Sequence, residues 1–323
     1  RRSVITGIAN FSIVTNPRSA TVTSAGAKRS PIVAVVGPTA SGKTAHSIEL
    51  AQGIGGEIIN TDSVLTYRGM DIGSAKPTAA ERSGVPHHVM DVWNVTYEAT
   101  VAEFQELARA AIDEVRARGN IPILVGGSAL YVRAVIDDLD FPGTDRDIRS
   151  AWQTTLADIG PEALHAILAE RDPLAATHIL ASNERRVVRA LEVIQMTGQP
   201  FKARLPPYES IYPNLVVVGI KMDRATLDSR IEDRVHSMWA AGFIDEVRNL
   251  DGLAESPTAS RAIGYQQVLG YLAGECDETE AREQTIVGTR KLARRQDRML
   301  RKDPRTIWLE WNSPELLARA VAA

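Results

Sequence analysis

The chain has 323 residues, 44% of them hydrophobic, and a formal net charge of -3 at pH 7. These values are typical of a globular protein with a sizeable core, and they require any nucleic-acid contact to come from local clusters of Lys and Arg. The single cysteine, Cys276, excludes an internal disulfide and a multi-cysteine zinc site. No apolar run approaches the ~20 residues of a membrane-spanning helix. We therefore expect a soluble, cytoplasmic protein, and we expect it to be monomeric.

Residues 1–30 differ in composition from the rest of the chain. They contain five basic residues and no acid, and they are rich in Ser, Thr and Ala. This composition is found in transit-like leaders, but it is also that of a disordered extension ahead of a first core strand. We favour the extension.

Residues 33–44 read VAVVGPTASGKT, a short apolar strand followed by Gly-x-x-x-x-Gly-Lys-Thr. Strand, glycine loop and helix follow in the order of a P-loop, in which backbone amides and the helix amino terminus bind phosphate. Lys43 is predicted to neutralise phosphate oxygens and Thr44 to ligate Mg²⁺. The predicted diphosphate site consists of Gly37, Pro38, Thr39, Ala40, Ser41, Gly42, Lys43 and Thr44. The motif alone does not identify the diphosphate.

The pattern then alternates between short apolar runs and amphipathic helices. Strands are predicted at 32–36, 57–60 and 121–125, and a helix between the last two is closed by Gly119. This alternation predicts an α/β fold with a P-loop NTPase-like parallel sheet, in which ligands bind at the carboxyl ends of the strands.

The sequence pattern changes after Phe141-Pro142-Gly143, and this change predicts a second structural unit. Residues 143–206 contain helical patterns and no convincing strand, so we expect an inserted, mainly helical subdomain. The sheet resumes at 215–220, before a helix capped by Asp223 and ended by Gly242. The predicted core therefore comprises residues 31–142 and 207–323, with helices at its C-terminal end.

Two polar residues, Asp62 and Ser128, follow predicted strands and are expected to lie near the P-loop. The 121–125 strand ends in Gly126-Gly127-Ser128, without the acid that usually holds Mg²⁺ in nucleotide hydrolases, whereas Asp62 follows the 57–60 strand. On two strands flanking the P-loop, Asp62 and Ser128 would face one crevice. Asp62 could be a metal ligand, a general base or a turn cap, and Ser128 could be only a turn residue.

Several motifs, in order along residues 31–311, resemble those of the tRNA dimethylallyltransferases, also called tRNA isopentenyltransferases, of bacterial type. They are GPTASGKT, DSVLTYRGMDIGSAKP, PHHVMDV, ILVGGSALYV, RRVVRALEV, RIEDRVHSM, GFIDEV and RAIGYQQVLGYL. The resemblance implies transfer of a dimethylallyl group from dimethylallyl diphosphate to the exocyclic amine of the adenosine 3′ of the tRNA anticodon, with Mg²⁺ as cofactor. The P-loop would then hold the leaving diphosphate.

The resemblance also implies catalytic roles. Asp62 is the implied general base, Ser128 supplies a hydroxyl beside it, and Lys43 and Arg234 stabilise the leaving diphosphate. Without the resemblance, Arg234 would be interpreted as part of a solvated helix face paired with Glu232 and Asp233.

The implied partner is the tRNA anticodon stem-loop, whose target base must be flipped into a pocket. The implied contacts are Asp62, Ser63, Val64, Leu65, Ser128, Arg149, Arg185, Arg186, Val187, Val188, Arg189, Arg261, Ala262, Ile263, Gly264, Tyr265 and Gln266. The basic residues at 282–305 give independent support, because they outnumber the acids there and suit a phosphate backbone.

Two other functions are compatible with the motifs. A P-loop small-molecule or nucleotide kinase would use the same phosphate cradle, although the strand ending in Gly126-Gly127 argues against it. A non-catalytic RNA-binding protein with a relic P-loop is the third hypothesis.

Overall fold

A six-stranded parallel sheet forms the centre of the protein. The computed structural model describes residues 31–203 and 205–313. The strands are β1 (Ile32–Val36), β2 (Gly56–Asn60), β3 (His87–His88), β4 (Ile121–Gly126), β5 (Leu215–Lys221) and β6 (Thr306–Glu310). Their order across the sheet is β3-β2-β4-β1-β5-β6, and every neighbouring pair is parallel. The predicted α/β fold class is confirmed.

Helices cover both faces of this sheet. They are α1 (Lys43–Ile54), α2 (Val101–Ala117), α3 (Ala129–Ile136), α4 (Arg146–Ile159), α5 (Pro161–Arg171), α6 (Pro173–His178), α7 (Glu184–Thr197), α8 (Arg224–Ala240), α9 (Phe243–Arg248), α10 (Tyr265–Leu272) and α11 (Glu278–Leu300). No helix in the described ranges is long and apolar enough to cross a membrane.

Strand β1 is apolar throughout because both of its faces are buried. Ile32, Ala34 and Val36 pack on one side with α2, while Val33 and Val35 pack on the other side with α1. Such continuous apolar runs are typical of parallel strands covered by helices on both faces. This packing fixes the position of the loop that follows β1.

The sheet order corrects one prediction about the strands beside the P-loop. The neighbours of β1 are β4 and β5, and β2 pairs with β4 on the side away from β1. Ser128 therefore follows an adjacent strand, but Asp62 follows a strand one position further away. Parallel crossover order cannot be read from strand spacing alone, because it depends on how the connecting helices pack.

Helices α4–α7 have a hydrophobic cluster of their own. Its buried members are Trp152, Leu164, Leu168, Ala175, Ile179, Val187, Val188, Ala190, Leu191 and Ala203. The segment is thus mainly helical, as predicted. Its role as an inserted RNA-contacting domain stays a prediction.

The loop after β2 is fixed by two charged side chains. The Glu246 carboxylate, on α9, accepts hydrogen bonds from the amides of Asp71, Ile72 and Gly73 at 3.0, 2.5 and 3.1 Å. Lys76 is 8% exposed, and it pairs with Asp71 while donating to the Tyr67 carbonyl at 2.9 Å. Charge-assisted bonds of this kind hold backbone firmly, so the motif YRGMDIGSAKP is a rigid structural element.

Candidate active site at the carboxyl ends of the strands

The P-loop connects β1 to α1 through backbone that favours glycine. Gly42 has φ 90° and Ala40 has φ 64°. A Cβ on Gly37 would lie 3.0 Å from Ser41 Oγ and 3.1 Å from the Ile220 carbonyl oxygen, so no larger residue fits there without a shift. Lys43 Nζ donates to the Pro38 carbonyl at 2.7 Å and so folds over the loop. The loop is preorganised for an anion.

Gln296 on α11 reaches the P-loop from far along the chain. Its Oε1 accepts the Thr39 amide hydrogen bond at 2.8 Å. A Cβ on Gly127 would lie 2.5 Å from its Nε2 and 3.1 Å from the Gly37 carbonyl oxygen. Gln296 thus lies between the P-loop and the loop that carries Ser128. The Thr39 amide, predicted to face the diphosphate, donates to this side chain in the structure.

We expect Gln296→Leu to raise the KM for the diphosphate substrate about tenfold, because the partly buried Thr39 amide loses its acceptor and the loop loses its support. Steady-state kinetics with varied diphosphate substrate measures the effect. Gln284→Leu is the matched control, since Gln284 is exposed on the same helix. An unchanged KM in the Gln296 variant would contradict this positioning role.

Lys43 interacts electrostatically with two predicted catalytic residues. Burial lowers its pKa from 10.5 to about 8, the Asp62 carboxylate opposes this decrease, and the Arg234 guanidinium adds to it. Such effects fall off with distance, so Asp62 and Arg234 both lie within electrostatic range of Lys43. This holds although Asp62 follows a more distant strand than predicted.

Asp62 forms part of a turn but retains acceptor capacity. Its Oδ1 accepts from the Val64 amide at 3.0 Å, and its own amide donates to Asn60 Oδ1 at 2.8 Å. The turn-cap interpretation is therefore correct for one carboxylate oxygen. A carboxylate has about four acceptor positions, so Oδ2 remains for a substrate proton.

Ser128 is the N-cap residue of α3, but its side chain makes no capping hydrogen bond. The hydroxyl is therefore not needed to terminate the helix, which weakens the interpretation of Ser128 as only a turn residue. One turn further on, burial raises the pKa of Tyr131 to about 12, and the nearby Tyr67 and Asp62 contribute. Tyr131 is a site residue that the sequence reasoning missed, because nothing in the sequence distinguished it from a core aromatic.

Arg234 is directed toward the P-loop. Its Nη1 lies 3.5 Å from Thr39 Oγ1, and among the described residues it has no carboxylate partner within ion-pair distance. Glu232, its proposed alternative partner, instead binds Arg290 at 2.6 Å. The geometry favours a site role over a solvated helix face.

A cavity of about 290 Å³ lies next to Asp62. Ser63, Val64, Tyr67, Trp93, Tyr131, Arg185 and Arg261 are among its lining residues. Its walls combine aromatic rings with two arginines, which suits a nucleobase and its phosphate. Five of the predicted RNA contacts line this cavity: Ser63, Val64, Arg185, Arg261 and Ala262.

Several other predicted RNA contacts are engaged within the protein. Val187, Val188 and Tyr265 are at most 4% exposed and pack in hydrophobic clusters, so their side chains are not free to contact RNA. Arg149 pairs with Glu98 and Glu192 at 3.1 Å. We therefore correct the expectation for the three buried side chains, since helical motifs carry core positions as well as contact positions.

The basic helix α11 is also partly neutralised. Arg290 pairs with Glu232 and Arg294 pairs with Asp228 at 3.0 Å, both on α8. Lys291, Arg295 and Arg298 are exposed along the helix. The charge excess seen in the sequence is therefore smaller at the surface than residue counts suggest.

The site residues fit a magnesium ion of the substrate-bridging kind. The described residues contain no group of three or more His, Cys, Asp or Glu side chains that could hold a metal. Mg²⁺ commonly keeps several waters and takes one or two protein oxygens plus phosphate oxygens. The exposed Thr44 hydroxyl can supply such an oxygen.

The sequence model of the family described as "IPP transferase" matches residues 65–303, which is more than half of the chain. The chain belongs to the IPP transferase family. Relatives named tRNA dimethylallyltransferase from Nocardioides sp. and Thermobifida fusca are each 55% identical, with 91% of this chain covered and 96% and 94% of those proteins.

Two solved structures of similar proteins agree with membership of the IPP transferase family. A tRNA isopentenylpyrophosphate transferase from Bacillus halodurans is 38% identical, with a TM-score of 0.65 over 91% of this chain and 95% of that chain. A eukaryotic dimethylallyltransferase described as acting on tRNA is 26% identical, with a TM-score of 0.76 over 90% of this chain and 77% of that chain.

Proposed function

We propose that this IPP transferase is a tRNA dimethylallyltransferase that uses dimethylallyl diphosphate to modify the adenosine 3′ of the anticodon. The observation that carries the proposal is the electrostatic interaction between the Asp62 carboxylate, which raises the pKa of Lys43, and this buried P-loop ammonium. A proton acceptor for the nucleophile thus lies beside a cradle for the leaving group. The family relatives support the same reaction.

In this mechanism the exocyclic amine nitrogen attacks the allylic carbon of the donor. A carbon–nitrogen bond forms, the carbon–oxygen bond breaks, and the bonding electrons leave with diphosphate. Asp62 accepts the proton that the amine loses, and Ser128, which follows the strand paired with β2, supplies a hydroxyl to the same site. Lys43, Arg234 and the loop amides stabilise the charge that develops on the departing oxygen.

Mg²⁺ would be held by Thr44 and by diphosphate oxygens, and when bound it would neutralise charge on the leaving group. The protein residues at the P-loop supply binding and orientation of the same group.

Incubation with labelled dimethylallyl diphosphate and unmodified tRNA tests the function. Label should enter tRNA whose anticodon is followed by adenosine, and replacing that adenosine should abolish incorporation. If no label enters tRNA while ATP and a small acceptor give a phosphorylated product, the kinase hypothesis is correct instead.

The activity should depend on pH through Lys43. As pH rises through about 8, the ammonium loses its proton and no longer balances the diphosphate charge. We expect kcat/KM for the donor, which reports ionisations of the free enzyme, to fall up to about tenfold per pH unit above this point. Lys43→Arg stays charged and should lack this decrease. A flat wild-type profile up to about pH 10 would contradict the assignment, which rests on the pKa and geometry of this one lysine.

A further inference from the structure

A second concave surface lies between the α/β core and helix α4. This groove has a volume of about 510 Å³ and is lined by Arg68, Trp93, Asn94, Tyr97 and Glu98 from the core and by Arg146 from α4. None of these residues belongs to the predicted RNA contacts. Grooves between two packed units are common positions for ligand sites.

Two aromatic rings form one wall of this groove. Trp93 and Tyr97 are stacked with ring centroids 5.8 Å apart and an interplanar angle of 15°. Tyr97 is 40% exposed, yet its hydroxyl donates to Glu103 at the start of α2, so the ring is held in place. A fixed and partly exposed aromatic ring is a platform on which an unpaired base can stack.

The charged residues of the groove leave a positive balance. Glu98 is neutralised by Arg149 at 3.1 Å and by Arg146 at 3.2 Å. Arg68 is exposed, and among the described residues its side chain makes only a long hydrogen bond, 3.4 Å, to Asn94. Arg146 keeps a side-chain exposure of 73%. Two accessible guanidinium groups beside a stacking platform suit a nucleotide that carries its phosphate.

Trp93 connects the groove with the candidate active site, because it also lines the cavity beside Asp62. An occupant of the groove would therefore lie next to the base held in that cavity. We infer that the groove binds a second unpaired nucleotide of the RNA substrate, stacked on Tyr97 with its phosphate near Arg68 and Arg146. This inference rests on the proposed function, since the reacting nucleotide fixes the neighbouring one.

Kinetics with an anticodon stem-loop RNA tests the stacking. Tyr97→Ala should raise the KM for RNA about 5- to 150-fold, the range for loss of one base–aromatic stack, with kcat and the KM for the donor unchanged. Tyr97→Phe keeps the ring but loses the bond to Glu103, so it should retain the wild-type KM. A similar rise in both variants would assign the effect to the start of α2 and overturn the inference.

A scan with abasic nucleotides identifies the stacked position. One abasic site at one loop position should raise the wild-type KM, and the same RNA should give no further rise with Tyr97→Ala. Additive effects at every position would overturn the inference. Wild-type prenylation of the intact RNA is measured in parallel, so failure of the proposed function is seen separately as loss of that activity.

The charge component has its own measurement. Arg68→Gln should reduce the slope of log affinity against log salt concentration by about one, as expected for loss of one phosphate contact. Arg248→Gln is the matched control, because Arg248 is exposed and pairs with Asp245 outside the groove. Equal slopes for Arg68→Gln and wild type would contradict a phosphate contact at Arg68.

Discussion

Replacement of Asp62 by Asn should lower kcat at least ~10²-fold while leaving the affinity for tRNA unchanged, because the amide cannot accept the proton of the adenine amine. Asn retains the side-chain oxygen that accepts the Val64 amide bond, so the turn after β2 should survive. Single-turnover prenylation and RNA binding measure the two quantities separately.

The pH dependence of kcat/KM and the thermal stability distinguish loss of the general base from loss of the turn structure. The Asp62 carboxylate raises the pKa of Lys43, so its removal should shift the alkaline decrease in kcat/KM for the donor to a pH below about 8. Asp62→Ala, which also removes the turn cap, should additionally reduce thermal stability. A near-normal rate in the Asn variant would exclude Asp62 as the general base. If neither the wild type nor the variant shows turnover while both bind tRNA, the non-catalytic RNA-binding hypothesis is favoured.

Arg234→Gln should lower kcat about 10²- to 10³-fold, the range observed when one preorganised donor to a developing negative charge is removed. The KM for RNA should change little, because Arg234 faces the P-loop through Thr39. Steady-state kinetics with varied donor and varied RNA measures both effects.

The pH profile gives this variant a signature opposite to that of Asp62→Asn. The positive charge of Arg234 lowers the pKa of Lys43, so its loss should move the alkaline decrease above pH ~8. Arg224→Gln, on the exposed side of the same helix, is the matched control and should behave as wild type. An unshifted pH profile of kcat/KM together with a normal kcat would show that Arg234 is only a surface residue of its helix.

Local sequence patterns predicted the parts of the site that depend on local structure. Strand β1 and the glycine loop are determined by neighbouring residues, and the cap of α8 at Asp223 accepts the Thr226 amide as its position predicts. Helices α2 and α8 follow the spacing of their apolar residues. Short-range steric and hydrogen-bond preferences are sufficient for such features.

Contacts between distant residues could not be predicted in this way. Gln296 meets Thr39 across 257 positions, and Glu246 binds amides about 175 positions earlier. Their sequence surroundings are those of ordinary helix surfaces. A side-chain oxygen on a helix surface becomes such a partner only when tertiary packing brings an unsatisfied backbone amide to it.

The charged residues show the same limit. Counting Lys and Arg in α11 predicted a broad phosphate-binding face, whereas acids on α8 bind Arg290 and Arg294. The acids and the bases lie about 60 positions apart in sequence. Only packing of the two helices determines which charges remain available to RNA.

The contact between Gln296 and the P-loop also bears on biosynthesis. The ribosome makes the P-loop first, but Gln296, whose side chain accepts the Thr39 amide hydrogen bond, emerges 257 residues later. Strand β1 likewise waits for β4 and β5 before either of its edges is paired. A nascent chain therefore completes the support of its P-loop only after α11 has been made, so chains that stop before α11 should bind diphosphate more weakly than the full chain.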